Sequence, residues 1–112
     1  MPMKFLTKEI KDRLPPLYAT EGVKADDKIV QCKFFSIFGR GTWLAVEYDP
    51  KEKVFFGFVI SPLGDDCDEW VYFSEDELRT CKIGCCPAIE RDLYFKPGKF
   101  SEVVKQEKGE VQ

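Results

Sequence analysis

Three apolar, aromatic-rich runs separated by two short turn signals most constrain what this chain can become. Residues 28–38 alternate around Ile29, Val30, Phe34, Phe35 and Ile37, and Gly39-Arg40-Gly41 follows. Residues 42–48 carry Trp43, Leu44 and Val46, and Asp49-Pro50-Lys51-Glu52-Lys53 then leads into Val54-Phe55-Phe56-Gly57-Phe58-Val59-Ile60. β-Branched and aromatic side chains pack well on a pleated surface, and the bounding Gly, Asp and Pro favour turn dihedrals. The expectation is an antiparallel meander. A further run, Glu69-Trp70-Val71-Tyr72-Phe73, extends it beyond the loop Ser61-Pro62-Leu63-Gly64-Asp65-Asp66.

Helical signals flank the meander. Leu6, Ile10 and Leu14 recur at helical spacing, with Thr7 placed to cap and Pro15-Pro16 to stop the helix. Ser74 and Glu77 form a capping box for a second short helix ending near residues 82–84, and its early acids suit the helix dipole. Residues 93–95 read as a last strand ended by Pro97-Gly98. Phe100, Val103 and Val104 give an amphipathic stripe, and from Lys105 the composition turns polar. The chain of 112 residues fits one domain. We expect an α+β fold: a single domain over residues 4–104, with a mostly antiparallel sheet of four to five strands. An N-terminal helix and one or two short helices pack on it, and residues 105–112 form a frayed tail.

Charge and composition exclude several classes. The net charge of −3 argues against general adhesion to nucleic acid or anionic membrane, which needs a basic field. No apolar run approaches the roughly 20 residues of a membrane span, and the first residues turn charged at once, so the reading is cytoplasmic. The absence of histidine removes Ser-His-Asp and Cys-His catalysis and the commonest general base. Cys67, Cys81, Cys85 and Cys86 are weak candidates for a zinc site. Only one half has the spacing of a ligand pair, so ordinary thiols without a metal or other cofactor are the plainer reading.

Two polar constellations remain. Residues 54–78 contain no Lys or Arg but include Asp65, Asp66, Asp68 and Glu69 beside Trp70 and Tyr72. That combination fits an acidic docking face with aromatic anchors, against a plainer reading as a solvated loop. The second is Ile89-Glu90-Arg91-Asp92-Leu93-Tyr94-Phe95-Lys96-Pro97. Glu90, Arg91 and Asp92 read first as an internal ion-pair network, with Arg91 between carboxylates bracing the last strand. The functional version is a polar site completed by Tyr94 and Lys96.

Three segments carry a family resemblance: Leu6-Thr7-Lys8-Glu9-Ile10 leading to Leu14-Pro15-Pro16-Leu17-Tyr18-Ala19-Thr20-Glu21, then Phe55-Phe56-Gly57-Phe58-Val59, then residues 89–97. On these, the chain resembles bacterial small proteins grouped as domain of unknown function 2958, often encoded on plasmids and conjugative elements. Typical members carry fewer cysteines near residues 81–86, which counts against a family-wide metal site. The resemblance implies an accessory role in a mobile element and supplies no active site.

The functional expectation is a non-enzymatic protein-interaction module with an unidentified protein partner, modulating host defence or plasmid maintenance. One alternative is nucleic-acid binding through Lys4, Lys8, Lys11, Arg13 and Arg40. The other is a small enzyme using carboxylates and Tyr94.

Overall fold

A computed structural model describes residues 5–37, 41–61, 67–83 and 86–108, with the backbone alone at 82–83 and 86–87. The strands are β1 (Ile29–Val30), β2 (Cys32–Ser36), β3 (Thr42–Asp49), β4 (Val54–Ile60), β5 (Glu69–Ser74), β6 (Lys82–Ile83), β7 (Cys86–Pro87), β8 (Ile89–Arg91) and β9 (Gly98–Lys99). The α-helices are α1 (Lys8–Arg13), α2 (Glu75–Thr80) and α3 (Phe100–Glu107). The main sheet is antiparallel with five strands in the order β5-β4-β3-β2-β8, and two small ribbons pair β1 with β9 and β6 with β7. The architecture is α+β, with the meander as expected.

Each face of the sheet has its own core. On one face, α1 and α2 bring Leu6, Ile10, Leu14 and Leu78 against Phe34, Ala45, Tyr48, Phe55 and Ile89. On the other, α3 packs Phe100 and Val103 against Val30, Leu44 and Val46, with Phe58 and Trp70 beside them. The helix starts are set locally. Thr7 Oγ1 accepts from the Ile10 amide at 3.2 Å, and Ser74 Oγ accepts from the Glu77 amide at 3.2 Å.

The ladder between β3 and β4 contains one irregularity. Ala45 faces Gly57, but Glu47 faces Phe56, so Val46 is an extra residue on β3. Strand side chains alternate between faces, so the bulge reverses the alternation beyond it. Val46 and Glu47 therefore share the α3 face, and Tyr48 turns back to the α1–α2 face.

Three expectations need correction. The run at 28–38 is two strands that part at Gln31, whose amide still donates to the Ala45 carbonyl of β3 at 2.9 Å while β1 pairs with β9. The last strand of the main sheet is β8, and residues 93–95 form a turn. The Asp92 carboxylate accepts from the Tyr94 amide at 2.9 Å, which closes that turn and leaves Tyr94 91% exposed. The polar residues Lys105, Gln106 and Glu107 are helical rather than frayed. Glu107 reaches back to Lys33 at 2.6 Å, which anchors the last turn to β2.

Gly57 marks a close approach between β3 and β4. A Cβ there would lie 1.9 Å from the Leu44 carbonyl oxygen, which is backbone and cannot rotate away. Gly57→Ala is expected to cost about 3 kcal/mol, the upper end of overpacking penalties, read as a lowered urea midpoint at unchanged slope.

Candidate functional site

Of the residues in the acidic stretch, Asp65 and Asp66 lie outside the described residues. Asp68 does not present a free charge. Its buried carboxylate accepts from the Ser61 amide at 2.7 Å through Oδ1, and Oδ2 lies 2.8 Å from Lys108 Nζ. Burial alone pushes this acid upward, but the Lys108 ammonium and the Ser61 amide outweigh it and hold it below its usual range. Asp68 thus ties the end of α3 to the start of β5. Glu69 is exposed at the first position of β5. Trp70 is half-buried, its ring 4.6 Å from Phe100 and 5.4 Å from Phe58. Tyr72 stands out at 52% exposure.

The structure surrounds Tyr72 with residues absent from that reading. Its ring centroid lies 5.1 Å from Phe56 and 6.4 Å from Tyr18, tilted by 52° and 62° respectively. Tyr18 is itself 62% exposed and has a left-handed backbone, φ 72°. A non-glycine residue persists there only when its surroundings hold it. The holder is Glu47, 2% exposed and brought to this face by the bulge. Glu47 Oε1 accepts from the Tyr18 amide at 2.7 Å, and Oε2 accepts from the Thr20 amide at 3.0 Å and from the Thr20 hydroxyl. Lys28 Nζ donates to that hydroxyl at 2.9 Å and to the Thr20 carbonyl. Tyr18, Glu21, Lys28, Glu47, Phe56 and Tyr72 together line a cavity of about 310 Å³. Its sequence signal was a lone carboxylate inside the apolar strand Leu44-Ala45-Val46-Glu47-Tyr48, two tyrosines being unremarkable beside it.

The second constellation is dispersed. Glu90 and Arg91 are half-buried on β8. Arg91 Nε donates to the Phe5 carbonyl at 3.1 Å, securing the chain before α1. Lys33 lies between two carboxylates, at 3.5 Å from Asp92 and 2.6 Å from Glu107. Tyr94 and Lys96 are exposed, and neither borders the polar groove that Arg13, Gln31, Arg91 and Asp92 line over Cys32.

Cys67 and Cys81 are exposed free thiols. Cys85 and the side chain of Cys86 lie outside what the structure describes. Among the described residues, no group of three or more metal-ligating side chains comes together. Also among them, no helix is long and apolar enough to cross a membrane.

The family model described as "Protein of unknown function (DUF2958)" matches residues 5–108. The chain belongs to the DUF2958 family. The match takes in every described element, from Phe5 at the edge of the core to Lys108 at the end of α3. No curated protein and no solved structure matches this DUF2958 chain.

Two outcomes follow from the geometry. Asp68 is depressed in the fold, so its contribution is present above the unfolded carboxylate value and is lost as pH falls through the folded one. Asp68→Asn should therefore cost about 2 kcal/mol near neutrality, a typical charged hydrogen-bond loss. The gap from the parent should close on acidification below roughly pH 4, measured by urea titrations at several pH values. Burial pushes the Cys32 thiol up to about 12, although Arg91 and Arg13 oppose it. Iodoacetamide at pH 7.5 should modify Cys67 and Cys81 while sparing Cys32 until the protein is unfolded, as read by peptide mass mapping.

Proposed function

We propose that this DUF2958 protein is a non-enzymatic interaction module that captures an extended segment of a partner protein along β5. The observation that carries this reading is an edge strand bearing an exposed aromatic anchor. Among the described strands, β5 pairs only with β4, and Tyr72 on it is half-exposed next to the more exposed Tyr18. An open strand edge offers a row of backbone donors and acceptors, and a peptide that adds to it gains main-chain bonds. Tyrosine supplies large contact area at low conformational cost. The anchor is Tyr72 rather than Trp70, because Trp70 is committed to the core beneath α3. Glu69 adds acidity to the same strand. In this reading the protein is an accessory of a mobile element that modulates host defence or plasmid maintenance by occupying its target.

The alternatives draw less support. Of the cations that would bind nucleic acid, Lys8 lies 3.1 Å from Asp12, and Arg13 contacts Glu9 and Gln31. For an enzyme built on Glu90, Asp92 and Tyr94, the groove that Asp92 lines is bordered by neither Glu90 nor Tyr94, and Asp92 is engaged by Lys33.

A photo-reactive phenylalanine analogue placed at position 72 should cross-link a partner polypeptide in its native host. The same analogue at position 94, which is more exposed, should not. Equal labelling from both positions, or from neither, rejects the module.

A further inference from the structure

The cavity under Tyr72 has a composition that edge-strand capture alone does not require. Its rings come from three separate places, the segment before β1 (Tyr18), β4 (Phe56) and β5 (Tyr72). They are tilted by 52° and 62° instead of stacked flat, which gives a concave surface of ring faces and edges. Ring faces carry negative quadrupole density and attract cations. Glu21 and the buried Glu47 also line the cavity. The one lining cation, Lys28, is held by the Thr20 carbonyl and hydroxyl. Two carboxylates against one ammonium leave the wall with an excess negative charge. Glu47 Oε1 accepts one hydrogen bond, from the Tyr18 amide, while Oε2 accepts two, so Oε1 retains a free acceptor position.

We propose that Tyr18, Phe56 and Tyr72 form a cation-binding cage above Glu47, and that its occupant is a lysine or arginine side chain of the captured segment. This deepens the reading of the protein as an interaction module and rests on it for the source of the cation. Strand geometry supplies the delivery. A residue paired opposite Tyr72 on the open side of β5 projects to the same face as Tyr72, within reach of a long side chain. Its aliphatic stem lies along the tyrosine ring while its charged head meets the acidic floor. A phosphorylated or acidic segment is repelled by the same carboxylates.

The test uses the intact chain and small probes, so it does not depend on finding the partner. Aromatic proton resonances of Tyr18, Phe56 and Tyr72 are followed by NMR during titration with N-acetyl-lysine methylamide, N-acetyl-arginine methylamide, choline and 3,3-dimethyl-1-butanol, the neutral isostere of choline. The expected result is saturable shifts of those three residues with the capped basic residues. Affinity should be weaker by about tenfold for the neutral isostere and after Tyr72→Ala, between the scales of an exposed and a desolvated cation–π contact. Glu21→Gln should weaken cation binding without moving the neutral probe. Equal response to choline and its isostere, or no response of these rings to any cation, overturns the cage. Choline binding without either capped amino acid overturns the side-chain occupant. Cation binding in a protein that cross-links nothing from position 72 sustains the cage and rejects the module.

Discussion

Val46 stands without a counterpart on β4, and both polar networks at the heart of the protein descend from that single extra residue. Without it, Glu47 would fall on the face of Trp43 and Ala45, among Phe34 and Phe55. With it, Glu47 turns to the α3 face and meets the amides of Tyr18 and Thr20. Tyr48 turns the other way, and its hydroxyl donates to Glu75 at the start of α2. Arg79 also engages Glu75 and lies 5.5 Å above the Phe5 ring. A bulge in the central strand thus decides what each layer packed on the sheet is tied to. Gly57, opposite Ala45, is the local accommodation that lets the two backbones approach so closely.

The buried charges share one logic. A carboxylate removed from water is costly unless its lone pairs are taken, and removing one partner costs more than the pair ever contributed. Glu47 is held by two amides and a hydroxyl, Glu75 by Tyr48 and Arg79, and Asp68 by Ser61 and Lys108. Each joins the sheet, or a helix packed on it, to a different element. Lys33 performs the mirror role, gathering Asp92 and Glu107 over β2. Hydrophobic burial sets how tightly the layers pack, while these pairs set which element sits where.

The meander, both capped helices and the apolar stripe of α3 were legible because each rests on neighbours in sequence: alternation, turn residues and caps. What could not be read depends on residues far apart. Polarity after Lys105 resembled a tail because its order comes from Lys33, 74 positions from Glu107. Leu93, Tyr94 and Phe95 have strand composition, but the Asp92 carboxylate folds them into a turn. Asp68 matched Glu69 on paper, and its depth and its lysine partner separate it from that exposed neighbour. The Tyr18–Phe56–Tyr72 group was hidden by the bulge, since simple alternation sends Glu47 to the wrong face.

Glu47 and Tyr48 are adjacent yet look to opposite sides of the sheet, and this makes β3 intolerant of mispairing. A hairpin formed one step out of place would exchange them, driving a bare carboxylate into a wall of phenylalanines. It would also strand a phenol away from its acceptor. Such a misaligned pairing carries its own energetic penalty. The pair acts as a proofreading mark, written in two letters, for the register in which β3 pairs.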